Sequence, residues 1–397
     1  MPTLYIIDGY AAFFRNYHAI RTPMTSPVTK EPTNMTFGFV GMMLKLLRAE
    51  GTNINEAGGK PDYIAVALDV GGDRGTFRSQ LYTPYKATRK EPPEDLEPQV
   101  KRCLAMLREV GVPIIGVEGF EADDVIATMV TTLKGSHPDL RIRMVSKDKD
   151  LKQLLEEDRV QLFDVHTDAP YSERTLMAEW GVRPDQVIDM LSLIGDTSDN
   201  VPGVAGIGEK IATQLMKDFG SLDGIIAGVD KIKGRKGECI REALPHLPLS
   251  KQLITLRRDV PFNFSLADAS VPSFNLAALI PLFKELGFNR YQDDVRSLLG
   301  MARAGTGGSS GNLAAAVPAK PTTHAAPKKS NTADPMFGGL FQQPQPPGEA
   351  SQVATIQAQS GEYRAVTTSA HLASLVAAMY QAEVISCLLY TSPSPRD

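Results

Sequence analysis

Acidic side chains stand where the predicted strands of this sequence end. Asp8 closes the apolar run LYIID, Asp69 follows IAVAL, and Asp148 comes shortly after IRMVS. The carboxyl ends of parallel strands open into one crevice of an α/β sheet, so side chains at these positions should converge. Two loop segments, GFEADDVIA and GDTSDN, add further acids to the same predicted edge. The nine candidates are Asp8, Asp69, Glu121, Asp123, Asp124, Asp148, Asp150, Asp196 and Asp199.

Nine carboxylates in one crevice would repel one another and raise one another's pKa unless cations neutralise them. All-oxygen sites suit Mg²⁺ or Mn²⁺, which keep several waters and bind a few carboxylates together with substrate phosphate. Neither an HExxH pattern nor a cysteine–histidine cluster indicates zinc. The chemistry that needs such a cluster is phosphodiester hydrolysis with two ions, one activating water and one stabilising the leaving oxygen. Singly, each acid has a plainer interpretation as a helix N-cap or turn residue.

Segment 77–90, FRSQLYTPYKATRK, interleaves cations with aromatic rings. Arg78, Lys86 and Arg89 supply positive charge, and Tyr85 lies next to one of them. Single-stranded nucleic acid favours this combination, through phosphate contacts and base stacking. The alternative is an exposed amphipathic helix whose charged face is simply solvated.

The stretch LIGDTSDNVPGVAGIGEK, residues 193–210, joins two of the acids to a glycine-rich turn. It lacks the alternating acids of an EF-hand loop, and Glu209 stands where a P-loop carries lysine. Gly206 and Gly208 precede an amphipathic helix whose first N–H groups have no intrahelical partner. Such a helix start attracts phosphate oxygens, and Lys210 would strengthen the attraction. A tight turn between two helices, with no further role, is the alternative.

The acids must be held by strands, and three apolar runs supply them. Residues 3–7, 62–68 and 142–146 are rich in β-branched and apolar side chains and alternate with helical patterns. This alternation predicts a doubly wound, mainly parallel α/β domain over about residues 1–190. Helix-like stretches separated by glycine and proline predict an all-α subdomain over 191–300.

The remaining sequence changes character. Residues 301–350 are dominated by Ala, Gly, Pro, Ser and Thr and predict a flexible linker. Residues 351–386 resemble the start of a strand–helix–strand domain. The tail at 387–397, CLLYTSPSPRD, has no periodicity, and we expect it to be non-native and the gene product to be truncated.

Composition limits the cellular setting. The formal net charge of −4 gives no global basic field, although local basic patches would suffice for nucleic acid. The three cysteines are far apart and form no CxxC, which indicates a reduced, cytoplasmic protein. Asp8 and Arg15 interrupt the N-terminal apolar stretch, so a signal peptide is not expected, and no window is apolar enough for a membrane span.

Five motifs together resemble the 5′-nuclease, or flap endonuclease-like, family over about residues 3–300. They are DG at 8–9, TFRSQLYTPYKATR at 76–89, EADD at 121–124, SKDKDL at 146–151 and GDTSDNVPGVAGIGEK at 195–210. The resemblance is strongest to the 5′→3′ exonuclease domain that begins bacterial DNA polymerase I. It implies a PIN-like sheet with a helical arch at about 75–100 and a helix–hairpin–helix subdomain. It also implies that residues 351–386 are the start of a truncated 3′→5′ exonuclease-like domain.

The resemblance also implies roles for individual residues. The nine acids would hold two or more Mg²⁺ or Mn²⁺ ions, with Asp8 and Asp69 at the catalytic centre. Lys86 and Arg89 would contact the scissile phosphate at the base of the arch. The expected DNA contacts are Arg15, Arg78, Tyr85, Lys86, Arg89, Gly206, Gly208 and Lys210. The hairpin in this family often carries a bound K⁺.

The function implied is a monomeric 5′→3′ exonuclease and 5′-flap endonuclease of the bacterial cytoplasm, associated with the nucleoid. It would act on DNA flaps and on nicked or gapped duplexes during primer removal and repair, without contacting a membrane. With no polymerase segment in the sequence, the chain is not expected to polymerise DNA. Two alternatives stay open: a non-catalytic module that binds DNA structures, and a PIN-like ribonuclease.

Overall fold

The computed structural model describes residues 1–51, 60–72 and 75–300. The predicted linker, the predicted second domain and the predicted tail, which together cover 301–397, lie outside the described residues. The described residues all belong to one compact unit. None of their helices combines the length and the apolar character that crossing a membrane requires.

Within the described residues, six strands form one sheet. They are β1 (Thr3–Asp8), β2 (Tyr63–Ala67), β3 (Ile114–Ile115), β4 (Arg141–Val145), β5 (Val160–Asp164) and β6 (Ala169–Tyr171). Their order is β3-β2-β1-β4-β5-β6, with β1 to β5 parallel and β6 antiparallel to β5. The order reverses between β1 and β4, which is where doubly wound sheets open a crevice. The predicted mainly parallel sheet is therefore confirmed, and the three predicted strands correspond to β1, β2 and β4.

Thirteen helices accompany the sheet in the described ranges. They are α1 (Gly9–Ala19), α2 (Asn34–Arg48), α3 (Phe77–Leu81), α4 (Leu96–Val110), α5 (Ala122–Ser136), α6 (Glu173–Trp180), α7 (Val187–Ile194), α8 (Glu209–Phe219), α9 (Leu222–Ala227), α10 (Arg235–Ala243), α11 (Leu247–Ile254), α12 (Leu279–Leu286) and α13 (Asn289–Leu298). Short 3₁₀ turns connect several of them, including one at Asp150–Leu154 that follows β4.

Helices cover both faces of the sheet, because successive residues of a strand point to opposite sides. In β1, Leu4 and Ile6 join a core that includes α5 and the helices from α7 to α11. Tyr5 and Ile7 join a second core, which includes α1, α2, α4, α12 and α13. The predicted helical region 191–300 thus contributes helices to both faces.

The segment that the resemblance identifies as an arch contains little helix. In the described part of 75–100, helix is confined to the five residues of α3 and to α4, which begins at Leu96. Residues 83–88 between them form turns. The basic residues at the base of the predicted arch are therefore held by turns, and their positions depend on the contacts of those turns.

Arg78, a predicted DNA contact, is instead buried in the protein with 1% exposure. Its Nε donates to the carbonyl of Leu253 at 2.7 Å, and one Nη donates to that of Thr255 at 3.2 Å. The other donors bind the carboxylates of Asp124 and Glu121 at 2.7–2.9 Å. These bonds use all five N–H groups of the guanidinium, so none remains for a phosphate. Arg78 therefore joins α3 to the start of α5 and the end of α11.

Asp124, a predicted metal ligand, is the main partner of this arginine. Its side chain is fully buried, and both of its oxygens accept from Arg78 at 2.7 and 2.8 Å. The same oxygens also accept the backbone N–H groups of Glu121 and Arg257. Since both oxygens are engaged, the structure assigns Asp124 to the buried ion pair rather than to a metal site.

Arg78→Ala should lower the free energy of unfolding by about 3–5 kcal/mol, because it leaves the Asp124 carboxylate buried without its partner. Urea denaturation followed by circular dichroism measures the loss. The matched control is Arg174→Ala, whose side chain is 88% exposed and 3.9 Å from Glu157, and it should unfold like the unmodified chain. A loss below about 1 kcal/mol for Arg78→Ala would contradict this assignment.

Candidate active site

Asp8 links the ends of the two central strands. It is the last residue of β1 and the N-cap of α1, where its Oδ1 accepts from the N–H of Ala11 at 3.1 Å. Its Oδ2 accepts from the hydroxyl of Ser146 at 3.0 Å, just beyond β4. The Ser146 oxygen in turn accepts from the N–H of Asp148 at 3.1 Å. Ser146, which the sequence patterns did not single out, therefore positions two of the predicted acids.

Three more acids reach the same edge of the sheet. Asp69 follows β2, and its Oδ1 accepts from the N–H of Ala122 at 2.8 Å, at the start of α5. Asp123 lies in the first turn of α5. Asp150 begins the 3₁₀ turn after β4, and its N–H donates to Asp148 at 2.8 Å. The structure thus brings these residues together with Asp8, as predicted from their positions at strand ends.

The acids of this group repel one another. Burial, together with the charges of Asp69 and Asp148, raises the pKa of Asp8 to about 7, although the hydrogen bonds from Ala11 and Ser146 lower it. Loss of solvation and the charges of Asp148 and Asp8 hold the pKa of Asp123 well above its usual range. Desolvation and Asp148 do the same for Asp150.

Two carboxylate oxygens in the crevice lack a hydrogen-bond partner among the residues that the structure describes. They are the Oδ1 atoms of Asp123 and Asp150, and both are buried. Buried polar atoms are nearly always satisfied, so an unpaired carboxylate oxygen beside other carboxylates fits a bound cation. Across the described residues, however, no three of the acidic, histidine or cysteine side chains converge as a finished set of ligands. Waters would have to complete the coordination shell of any bound ion.

The acids on the other side of the crevice have cationic partners from the chain itself. Lys86 Nζ lies 2.6 Å from Glu121 Oε1, and Arg89 lies 2.6 Å from Asp199 Oδ1. Lys149 lies 3.0 Å from Asp196 Oδ2. Although burial opposes it, Lys149 and Ser198 lower the pKa of Asp196. This half of the crevice is therefore close to neutral, in contrast to the half around Asp8 and Asp123.

Lys86 has an unusual backbone, with φ at 54°, in the left-handed region that residues other than glycine rarely adopt. Its N–H donates to the carbonyl of Asp199 at 3.0 Å, which links the arch segment to the loop after α7. Asn200 adds a second link, donating to the carbonyl of Pro84 at 2.8 Å. Lys86 keeps only 10% of its side chain exposed, whereas Arg89 keeps 40%. The strained turn thus holds the Lys86 ammonium over the acids, while Arg89 reaches into solvent.

Tyr85, a predicted DNA contact, lies inside the protein with 6% exposure. Its hydroxyl is 3.0 Å from Glu121 Oε2 and 3.3 Å from Asp199 Oδ2, so it bridges two carboxylates. Burial, followed by the charges of Glu121 and Asp199, raises the pKa of its hydroxyl. A buried ring cannot stack on a nucleic acid base. Tyr85 therefore holds two carboxylates of the crevice in place and does not form a stacking surface.

Arg15 lies apart from the other predicted DNA contacts, on α1. It forms a two-pronged ion pair with Asp164 at the end of β5, at 2.6 and 3.0 Å. Lys147 shares the same carboxylate at 2.9 Å. Sequence patterns missed Asp164, because β5 was not recognised as a strand, and they did not single out Lys147, which follows β4. They form a separate charged cluster on the β5 side of the acids.

The predicted hairpin lies between α7 and α8. Gly206 has φ at 75°, and Gly208 is the N-cap of α8 without a side-chain cap. A Cβ on either glycine would meet no neighbouring atom, and both glycines and Lys210 are exposed. An open concavity of about 180 Å³ next to the hairpin is lined also by Arg235 and Lys236. The hairpin therefore exposes the backbone of its glycines beside the exposed cations Lys210, Arg235 and Lys236.

Two family models match consecutive parts of the chain. The N-terminal resolvase-like domain of 5′-3′ exonucleases matches residues 3–181, and the C-terminal SAM fold of these exonucleases matches residues 182–277. The first match contains seven of the nine predicted acids, and the second contains Asp196, Asp199 and the hairpin.

Curated relatives have the same kind of match. The DNA polymerase I of Chloroflexus aurantiacus is 35% identical over 367 residues, which are 90% of this chain and 36% of that protein. The DNA polymerase I of Rhizobium leguminosarum is 37% identical over 287 residues, which are 72% of this chain and 27% of that protein. The chain thus spans about a third of the length of the curated relatives it matches.

Solved structures agree on the fold. The flap endonuclease of bacteriophage T5, solved with DNA and metal ions, superposes with a TM-score of 0.50 at 20% identity, over 76% of this chain and 100% of that chain. The two family models and the relatives at 35% and 37% identity place the chain in a family. It belongs to the 5′-3′ exonuclease family, with both the N-terminal resolvase-like domain and the C-terminal SAM fold.

Proposed function

We propose that this chain is a structure-specific 5′ nuclease that hydrolyses DNA phosphodiester bonds at 5′ flaps, nicks and gaps with the help of divalent cations. The observation that carries the proposal is the group of buried, mutually repelling acids with two unpaired oxygens, at the point where the strand order reverses. Cations of the arch segment lie directly beside it. Acids that can bind divalent cations lie next to basic side chains that can bind a phosphate, and this combination suits phosphodiester hydrolysis.

Two groups of acids would hold the ions. The first, around Asp8, comprises Asp8, Asp69, Asp123 and Asp148, and the second, around Asp150, comprises Glu121, Asp150, Asp196 and Asp199. Mg²⁺ or Mn²⁺ fits these oxygen donors and would supply activation of water and stabilisation of the leaving oxygen. Asp8, fixed by Ala11 and Ser146, would hold its oxygens in place for this purpose.

Lys86 and Arg89 would bind the scissile phosphate. Both already lie at the crevice, and the guanidinium of Arg89 has the exposure needed to reach a strand that enters from solvent. A phosphate would take over part of the charge pairing that Glu121 and Asp199 now provide. Tyr85 would keep these two carboxylates in place while that exchange occurs.

The hairpin would bind the duplex next to the cleavage site. Exposed N–H groups near Gly206 and Gly208, together with Lys210, would contact backbone phosphates without reading sequence. Carbonyl groups of such a turn suit a K⁺ ion, which we include in the proposal. By analogy with its relatives, the chain would act as a monomeric N-terminal part of a DNA polymerase I in primer removal and repair. Within it, residues 1–190 would be the catalytic domain and 191–300 the duplex-binding subdomain.

Cleavage of a labelled 5′-flap duplex with Mg²⁺ tests the proposal. Asp148→Asn and Asp199→Asn should each lower kcat by on the order of 10²-fold or more, since a divalent ion contributes several kcal/mol to such reactions. The matched control is Glu157→Gln, an exposed acid that precedes β5 at the opposite edge of the sheet, and it should cleave like the unmodified chain.

Three outcomes would contradict the proposal or redirect it. Cleavage that persists in EDTA, or that neither asparagine variant slows, contradicts metal-dependent catalysis by these acids. Tight binding of the flap without cleavage favours the non-catalytic module. Faster cleavage of an otherwise identical RNA flap favours the ribonuclease.

Asp8→Asn should stabilise the metal-free protein at pH 8. The folded-state pKa of Asp8 is about 7 against an ordinary 3.8, so the folded chain holds this proton where the unfolded chain has lost it. The Asp8 contribution to the free energy of unfolding therefore falls as pH rises from about 4 to 7 and stays low above that. Asparagine keeps the N-cap but carries no charge.

Urea midpoints in EDTA measure this difference between the variant and the unmodified chain. The variant should have the higher midpoint at pH 8, and the two midpoints should approach each other at pH 4.5. Mg²⁺ added at pH 8 should raise the midpoint of the unmodified chain more than that of the variant. An unmodified chain that is the more stable one in EDTA at pH 8 would show that the repulsion around Asp8 is absent.

A further inference from the structure

A second charged cluster lies one strand away from the acids. Its centre is Asp164, the last residue of β5, whose carboxylate binds Arg15 at 2.6 and 3.0 Å and Lys147 at 2.9 Å. The Asp164 side chain is 10% exposed, whereas those of Arg15 and Lys147 are 25% and 48% exposed. The carboxylate therefore lies beneath two cations that are open to solvent. We call this set the Asp164 cluster.

The Asp164 cluster continues the row of acids along the edge of the sheet. Lys147 stands between Ser146, which binds Asp8, and Asp148. Arg15 is seven residues after Asp8 on α1, about 10 Å along the helix axis. Strand β5 is the neighbour of β4 in the sheet. The cluster thus flanks the crevice on the β5 side, and a strand whose phosphate lies over the acids could place an adjoining phosphate there.

Most hydrogen-bond donors of the two cations are unused. In the described part of the chain, the ion pair takes two of the five N–H groups of Arg15 and one of the three of Lys147. The carboxylate cancels one of the two positive charges, which leaves the cluster with a net positive charge. A phosphate oxygen is the ligand that matches converging ammonium and guanidinium donors.

We propose that Asp164 is a positioning residue, and that it holds Arg15 and Lys147 as a two-cation site for a DNA phosphate next to the one that is cleaved. The proposal rests on the proposed function, which supplies the nucleic acid strand. Long basic side chains lose considerable rotamer freedom when they bind a ligand, and a buried carboxylate that already orients them removes much of that cost. Lys147 thereby becomes a substrate contact that the sequence patterns did not indicate.

A purely structural role makes a different prediction. Asp164 also supports the turn after β5, because it accepts from the N–H of His166 at 3.0 Å and from the hydroxyl of Thr167 at 2.7 Å. Asp164→Asn keeps an acceptor for this turn and removes only the charge. If charge alone mattered, the variant, being more positive, would bind DNA more tightly. If positioning matters, it should bind more weakly despite the extra positive charge.

The test uses the full chain and 5′-flap duplexes that carry a single neutral methylphosphonate at successive positions around the cleavage site. Binding is measured in EDTA by fluorescence anisotropy, so it does not depend on cleavage. For the unmodified chain, one position next to the scissile phosphate should raise Kd by about 10-fold, as expected for a lost charge-assisted bond. Arg15→Ala and Lys147→Ala should bind the all-phosphate flap about 10-fold more weakly and should lose sensitivity to that position.

Asp164→Asn should weaken binding of the all-phosphate flap and reduce the same sensitivity, with a urea midpoint close to that of the unmodified chain. Arg174→Ala removes a cation near the opposite edge of the sheet and should change neither quantity. The proposal is overturned if Asp164→Asn binds the flap as tightly as the unmodified chain or more tightly. It is also overturned if binding by Lys147→Ala stays fully sensitive to the methylphosphonate. If Asp164→Asn fails to fold, Arg15→Ala and Lys147→Ala decide whether the cluster binds the phosphate.

The proposed nuclease activity and the proposed role of the Asp164 cluster can be overturned independently of each other. An unmodified chain that binds the flap with the expected phosphate sensitivity but does not cleave it with Mg²⁺ would overturn the proposed nuclease activity and leave the Asp164 cluster in place. An unmodified chain that cleaves the flap while all three cluster variants bind and cleave normally would overturn only the inference about the cluster.

Discussion

Repulsion among acids at the carboxyl edge of the sheet is the constraint on which the site depends. Parallel strands bring Asp8, Asp69 and Asp148 to one edge because they end there, and α5 adds Asp123 from its first turn. Folding this arrangement forces carboxylates together in a partly dry crevice, which raises the pKa of Asp8 and Asp123. Such a site lowers the free energy of unfolding unless cations offset the charge. The stability of the protein therefore depends on the same cations that its chemistry would use.

The chain neutralises its acids unevenly. Glu121, Asp196 and Asp199 have partners in Lys86, Lys149 and Arg89. Asp124 is removed from the crevice altogether by its ion pair with Arg78. Among the described acids of the crevice, Asp123 and Asp150 each have a buried oxygen without a hydrogen-bond partner. This unequal distribution gives the acids different surroundings, although they look alike in the sequence.

Much of the site could be predicted from sequence, because the carboxyl ends of parallel strands lie at the same edge of the sheet. Strands β1 and β2 are runs of apolar residues, and β4 was recognised from the apolar residues of IRMVS, so both the strands and the acids that follow them were predicted. Strand β5 was missed, since Gln161 and Asp164 interrupt its apolar residues, and with it Asp164 was missed. Side-chain direction in segment 77–90 could not be predicted either. Arg78 is buried by carbonyls of Leu253 and Thr255, which are 175 and 177 residues away in the chain.

Anomalous diffraction from crystals soaked in Mn²⁺ would show whether the crevice acids bind a divalent cation. Manganese peaks are expected within coordination distance of the carboxylates of Asp123 and Asp150. Asp123→Asn should remove the peak at that residue while the fold stays intact. A well-ordered crevice that shows no manganese peak at saturating concentration would mean that these acids do not bind divalent cations.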